Sequence, residues 1–453
     1  MVDGEDQLVA GLRHYGIAVD YAAGQVVTRI EESECPVLAW AASGAMSLTG
    51  WPGEPPQWPK GDVIGRLTGT ARVFGVIARQ FGTDVSVDVG GLLTERAKAR
   101  GSDRRGSTAV GGHCQLVRTL DSWVAINLAR TSDFDLLPAL TDGEVSAGST
   151  GHDRGDDHAD DAAVWQGLRE FARHRWGSDL TAAAQLLGIP VGHLGIAPVA
   201  NELPWTITRL GEAVRPGPRF PMIVDFSALW SGPLCAQLLG RCGAHVVKVE
   251  DVNRPDAARQ GDPRMFDELH GGHDQLMLDF GSPTDRRALR TLVDSADVVI
   301  EASRPRALAA LGLRPEQFLR ARAGRTWVSI TGYGRSGSRS NWVAFGDDAA
   351  VAGGLVGRSG GRPVFCADAI ADPVSGLLAA TGTLASIAHG GGHLIDCSMQ
   401  KSSAFVAGGG TCPGQHRVER RGSGWLAYHD DVSHEVADRP WSQRDSMPKT
   451  AHR

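Results

Sequence analysis

A chain of 453 residues with 42% hydrophobic content can bury cores for about two or three domains. Its formal charge of −6, from 46 basic and 52 acidic residues without a basic block, excludes the electrostatic footprint of a nucleic-acid binder. No apolar run reaches the about 18 residues that a membrane span needs, and the acidic start is no export signal, so a cytoplasmic protein with no membrane association is expected.

Seven cysteines are scattered without a CxxC pair, which reads as reduced thiols rather than a disulfide frame or zinc site. Cys235, Cys242, Cys366 and Cys397 sit in apolar surroundings and are expected to be buried.

The first segment, residues 1–104, contains one half of an internal repeat. Residues 40–62 match residues 350–372: Gly44 precedes Asp62 by the same 18 positions that separate Gly354 from Asp372. Each aspartate is followed by a glycine, Gly65 or Gly376, then an apolar helix-like run and a strand-like run at 85–89 or 394–399. Two copies are too few for a solenoid and predict a duplicated half-domain.

Residues 105–200 read as a small domain. The alternation at 111–118 and 122–128 predicts a hairpin, and helical periodicity over 163–193 ends at Gly188 and Pro190. Between them, residues 142–162 read as a surface linker. There His152, Asp156, Asp157 and His158 have metal-ligand chemistry but nothing fixes their spacing, so a solvated loop is expected and no metal is assigned.

Residues 201–412 carry the main signal. Over 222–250 a short apolar strand, the Gly232, Pro233 turn, an amphipathic helix ended by Gly243 and a second buried strand compose a βαβ unit. Such a unit offers its helix N-terminus to an anion. Further on, Gly332, Gly334 and Gly337 satisfy a dinucleotide fingerprint, yet no apolar-periodic helix follows. Gly357, Ser359 and Gly361 satisfy a hydrolase elbow, yet Arg362 and Pro363 follow at once. Both are expected to be glycine-rich turns. Asp372, before Pro373, is placed to cap a helix. Residues 413–453 read as a polar, irregular tail.

The βαβ segment, with Asp225, Gly232, Pro233, Gly243, Lys248, Glu250, Asp256 and Arg259, resembles the class III CoA-transferase family of the CaiB/BaiF type, the group of formyl-CoA transferase, carnitine CoA-transferase and α-methylacyl-CoA racemase. The resemblance covers most of residues 36–410. It implies an α/β fold: a Rossmann-like large domain with a parallel sheet plus a smaller α+β domain, their order rearranged relative to the family.

The resemblance also turns Asp372 from a cap into a catalytic nucleophile. The implied function is an acyl-CoA:carboxylate CoA-transferase, a transferase of sulfur-containing groups, working through an aspartyl-CoA thioester. The substrates would be an acyl-CoA and a carboxylic acid, with coenzyme A as substrate and no permanently bound cofactor. By motif position Trp230, Ser231, Ser303, Arg304, Gly332, Tyr333 and Gly334 would hold CoA, with Arg259, Arg304 and Arg306 suited to its phosphates. Amides at 353–354 and 375–376 are candidate oxyanion donors. Asp62, whose following glycine comes one residue early, is expected to be a packing remnant.

Some positions depart from the family pattern, namely Asp251 and the run Gly272, His273, Asp274. An α-methylacyl-CoA racemase is the enzymatic alternative, but the stretch that bears its histidine reads Ala344, Phe345, Gly346, Asp347, Asp348, leaving Asp347 or Asp348 to substitute. A catalytically degenerate CoA-ester-binding homologue is the non-enzymatic alternative. Relatives are interlocked homodimers, and the duplicated aspartate segment leaves both a homodimer and a pseudo-dimeric monomer open.

Overall fold

The computed structural model describes residues 4–18, 35–146, 158–196, 202–215, 217, 220–410 and 412–438. The candidate ligands His152, Asp156 and Asp157 lie outside them. Among the described residues no helix is long and apolar enough to cross a membrane.

The predicted hairpin forms as β1 (Cys114–Arg118) and β2 (Trp123–Asn127), joined by β3 (Val191–His193) in an antiparallel sheet of order β1-β2-β3. Register pairs Cys114 with Asn127 and Val124 with His193. Helices His158–Arg173 and Gly177–Leu187 cover it, the second ended by Gly188 at φ 85°. Val117, Val124, Leu168, Phe171 and Leu180 fill the core between them.

The large layer follows: β4 (Trp205–Arg209), β5 (Met222–Asp225), β6 (His245–Asp251), β7 (Asp274–Leu278), β8 (Val298–Glu301) and β9 (Thr326–Thr331). After a small hairpin, β10 (Gly357–Ser359) and β11 (Arg362–Val364), comes β12 (His393–Ser398). The sheet order is β4-β12-β9-β8-β5-β6-β7, parallel throughout except that β4 runs antiparallel to β12 at the edge. The inner strands β5, β8 and β9 are buried on both faces, hence their near-continuous Val and Ile runs. Helix Ser231–Arg241 is the crossover between β5 and β6. The protein is thus a mixed α/β fold, and the glycine-rich turns at 332–337 and 357–361 are turns, the second closing the β10-β11 hairpin.

Both repeat copies share a local shape. In each, a short helix, Pro36–Ala42 or Gly346–Ala352, runs into a left-handed glycine, Gly44 at φ 84° or Gly354 at φ 82°. An 18-residue helix follows, Val63–Gln80 or Ala371–Ala388, and these two long helices pack on one another. Pro59 and Gly357 form a bridge between the copies.

Two expectations are corrected. Residues 85–88 do not form a strand; Asp88 instead accepts the Gly91 amide and caps helix Val89–Ala99. In the second copy β12 lies beside β9, whereas no ladder pairs with 85–88, so alternation there has no hydrogen-bonding partner. The segment expected as an irregular tail contains β13 (His416–Arg421), β14 (Gly424–His429) and β15 (Val432–Glu435), an antiparallel sheet of order β13-β14-β15. Two-residue loops, Gly422 with Ser423 and Asp430 with Asp431, join its strands, with Gly422 at φ 60° and Asp430 at φ 50°. Its strands carry little hydrophobic alternation because only Ala427 is fully buried.

Candidate active site

A cavity of about 230 Å³ opens where three parts of the chain meet. Arg96 and Arg100 come from helix Val89–Ala99 and its end, His113 and Asn127 from the β1-β2 hairpin, and Trp230, Gly346, Asp347 and Asp372 from the large layer. Asp372 is held there by helix geometry. The N-cap of Ala371–Ala388 is Ile370, without a side-chain cap bond, so Asp372 sits in the first turn with its carboxylate directed elsewhere. The capping role open to it in the sequence is not the one it plays. The first-turn amides still favour a negative charge at this position.

Arg96 is the counterion. It donates Nε to Asp368 Oδ2 at 2.7 Å and Nη2 to Asp368 Oδ1 at 2.5 Å, and its guanidinium lies 4.7 Å from the Trp230 ring centroid. Burial alone would lower the guanidinium pKa, but Asp368, Asp347 and Asp372 together raise it. Burial pushes Asp372 up to about 7, against the pull of Arg96 and of a hydrogen bond from the Gly346 backbone, with Asp368 pushing further up. Asp347 is also pushed to about 7 by burial and by Asp368, although it accepts the Ala369 amide at 3.1 Å. Asp348, fully buried behind them, reaches about 8 through burial, while accepting from Asn127 Nδ2 and the Phe345 amide, each at 3.0 Å. Two carboxyls facing one cavity thus change charge near neutrality, an arrangement suited to nucleophilic or proton-transfer chemistry.

The residues quoted for the family resemblance form a buried network. Lys248 donates to the Ser227 carbonyl at 2.6 Å and pairs with Asp256 at 3.1 Å. Asp256 accepts the Leu229 amide at 3.0 Å, and Asp225 accepts from Ser227 N and Oγ at 2.8 and 2.5 Å. These bonds fasten residues 227–230, in which Leu229 is left-handed at φ 68°, and present Trp230 and Leu229 to the cavity. Strain at a branched residue persists only where its surroundings over-determine it.

Of the sequence-predicted CoA residues, Trp230 lines the cavity and Ser231 begins the next helix, its carbonyl 2.7 Å from where a Gly376 Cβ would stand. Ser303 and Arg304 follow β8, beside β5, so these four residues share the carboxyl edge of neighbouring parallel strands. Burial lowers Arg304, as do Arg306, Arg130 and Arg254, so that edge concentrates positive charge. Arg259 is engaged elsewhere: Glu250 binds it at 2.6 and 3.1 Å and Gln275 at 2.8 Å. Gly332 accepts from the Gln400 amide, Tyr333 donates to the Val191 carbonyl of the small sheet, and Gly334 turns at φ 95°. Asp251 shapes a turn by accepting the Asn253 amide at 3.0 Å.

The expected oxyanion donors do not reach the site. Gly353 and Gly354 donate to Ala349, Ala350 and Val351 carbonyls in a helix cap, and residues 375–376 lie within the helix. At the site itself Gly346 leaves no room for a side chain: a Cβ would stand 2.3 Å from both Ala369 O and Asp372 Oδ2. Asp62 caps its helix by accepting the Gly65 amide at 2.9 Å, in keeping with a packing role. Arg96, Asn127 and Asp368 were invisible to sequence reasoning because nothing local distinguishes them. Asp347 carried a signal only through its place in the racemase comparison.

Residues 222–423 match CoA-transferase family III. Over 204 residues the chain is 32% identical to the succinyl-CoA:mesaconate CoA-transferase of Haloarcula hispanica, a match covering 40% of this chain and 51% of that protein. It is 29% identical over 193 residues to human alpha-methylacyl-CoA racemase, covering 41% and 48%, and 29% identical over 194 residues to the formyl-CoA:oxalate CoA-transferase of Afipia carboxidovorans, covering 40% and 46%. The chain spans about half the length of the curated relatives it matches. The crystal structure of a CAIB/BAIF family protein from Brucella suis superposes with a TM-score of 0.41 at 23% identity, covering 46% of this chain and 64% of that one. The matched segment runs from β5 through the Asp372 helix into the C-terminal sheet, and it is this segment that is similar to CoA-transferase family III.

Proposed function

We propose that this protein is an acyl-CoA:carboxylate CoA-transferase with Asp372 as its nucleophile. The observation that supports it most directly is the environment of Asp372: a first-turn carboxylate that does not cap its own helix, lines the cavity beside Trp230, and has Arg96 and the Gly346 amide to favour its anion. Its ionised oxygen attacks the thioester carbonyl, the carbon–sulfur bond breaks, and CoA leaves as thiolate with the bonding electrons. The thiolate then attacks the Asp372 carbonyl of the mixed anhydride. The donor acid departs as carboxylate and Asp372 is left as the CoA thioester. An acceptor carboxylate reverses the two steps and restores Asp372, so no proton is consumed overall. Trp230, Ser231, Ser303 and Arg304 are proposed to hold CoA, with Arg254 and Arg306 adding charge for its phosphates. The repeat copies meet inside one chain at Pro59 and Gly357, which favours a pseudo-dimeric monomer and a rearranged domain order.

One observation favours a second reading. Asp347 and Asp372 line the same cavity, interact electrostatically and both ionise near neutrality, so they are a candidate two-base pair for moving an α-proton. A panel of acyl-CoAs, hydroxylamine trapping and intact mass decide between the readings. A CoA or hydroxamate mark on the Asp372 peptide, absent in Asp372→Ala, supports the transferase. Deuterium uptake at the α-carbon without any mark supports the racemase, and CoA binding with neither event leaves only a binding protein.

A further inference from the structure

Far from one another in sequence, Cys35, Cys412, His416 and His429 bring one ligand atom each to within 4.8 Å of all the others. Cys35 Sγ lies 3.3 Å from His416 Nε2, and Cys412 Sγ lies 3.5 Å from His429 Nε2. The two imidazoles are stacked, centroids 4.9 Å apart and planes at 13°. A tetrahedral ion with metal–sulfur bonds of about 2.3 Å and metal–nitrogen bonds of about 2.0 Å has ligand–ligand edges of about 3.3–3.8 Å, the range of both sulfur–nitrogen separations.

We propose that these four side chains form a structural Zn²⁺ site. Two thiolates and two neutral imidazoles make the tetrahedral S₂N₂ donor set that selects zinc over the oxygen-seeking cations. On binding, the two thiols release their protons, and their two negative charges are balanced by the ion. His429 Nε2, now 2.9 Å from the Pro413 carbonyl, turns its lone pair to the metal instead.

The location gives the ion its task. Cys35 stands at the N-cap of helix Pro36–Ala42 in the first repeat copy, while the other three ligands belong to the C-terminal sheet and the segment leading into it. That sheet packs on the same helix, with the Ala437 amide bonded to the Ala41 carbonyl at 3.0 Å. Three short strands with one fully buried residue, Ala427, have no core of their own. All four corners of the donor set are protein atoms, so the ion would fasten the two ends of the chain together and keep no open position for catalysis.

The test uses the full chain, purified under reducing conditions, stripped with a chelator and titrated with Zn²⁺ alone against a chromophoric competitor. Expected are one equivalent bound per chain, protection of Cys35 and Cys412 from alkylation, and slowed amide exchange across 416–435. Cys412→Ser and His429→Gln should each weaken uptake at least tenfold, whereas Asp372→Ala should bind zinc as the wild type does. Failure of the stripped, reduced wild-type chain to take up zinc would overturn the site, even if the variants fold poorly. Unchanged uptake in both variants would do so as well, as would a Cys35–Cys412 disulfide whose reduction restores no metal binding.

Discussion

Arg96 and Asp368 meet in a two-point ion pair, Nε to Oδ2 at 2.7 Å and Nη2 to Oδ1 at 2.5 Å, and this pair joins the first repeat copy to the loop that leads into Asp372. Three carboxylates, Asp347, Asp368 and Asp372, act on one guanidinium. Arg96→Met should therefore destabilise the fold by about 3 kcal/mol, since removing one partner strands a buried charge. The loss should be greater at pH 8 than at pH 6, because Asp347 and Asp372 ionise in between. Urea unfolding at the two pH values measures it; equal losses would contradict the shared-counterion picture.

Marking of Asp372 by acyl-CoA should rise with pH through about 7, the region to which burial has pushed its carboxyl. A single-turnover pH profile reads this directly. A rate flat between pH 5 and 8 would show that bound substrate or Arg96 keeps the group ionised throughout.

Stability should follow the opposite course. Asp348 is raised to about 8 and fully buried, so the folded protein holds a proton that the unfolded chain has released. Its contribution is fully present below about pH 4 and is lost as pH rises through about 8, at up to about 1.4 kcal/mol per pH unit. Asp347 and Asp372 add the same sign, weakened by contact with water in the cavity. Asp348→Asn keeps an acceptor for Asn127 and Phe345, and should flatten the alkaline limb of a chemical-denaturation pH series.

On the acid side the buried histidines dominate. Burial first, and then Lys248 with other nearby cations, holds His270 at about 2 and His273 at about 4, while burial with Arg209 and His389 holds His393 at about 4. Their depressed values add stability above about pH 6.5 that is lost as pH falls toward the folded values. Stability should peak near pH 6, and His270→Phe, at a position whose ring lies tilted 44° against that of Phe266 with centroids 4.4 Å apart, should move acid unfolding to lower pH.

The two repeat aspartates should respond differently. Asp62→Ala removes a helix cap and should cost about 1 kcal/mol while leaving acyl-CoA marking intact. Asp372→Asn should abolish marking with little change in melting temperature. Gly346→Ala, whose Cβ would meet Ala369 O and Asp372 Oδ2 at 2.3 Å, should remove marking and destabilise together.

Local chemistry was legible in advance. Apolar runs separated by Gly232, Pro233 and Gly243 announced β5, its crossover helix and β6, because a parallel strand buried on both faces needs continuous Val and Ile and a crossover needs a helix. Equal spacing from Gly44 to Asp62 and from Gly354 to Asp372 announced two similar helix starts. What it could not settle was which aspartate caps. Asp62 and Asp372 each precede a long apolar helix, but one carboxylate accepts its own helix's amide and the other lines a cavity. That difference comes from how the helix start meets Gly346 and Arg96, which are remote in the chain.

By itself the sequence determined the α/β architecture, the likeness of residues 222–423 to CoA-transferase family III and the position of Asp372, since these rest on periodicity and motif within short windows. Only the tertiary structure decided that Arg96 and Asn127 complete the cavity, that residues 416–435 pair into a sheet, and that Cys35 meets Cys412, His416 and His429. Contacts between residues hundreds of positions apart leave no period to read. They come from packing the two repeat copies on one another, and that packing is a property of the whole chain.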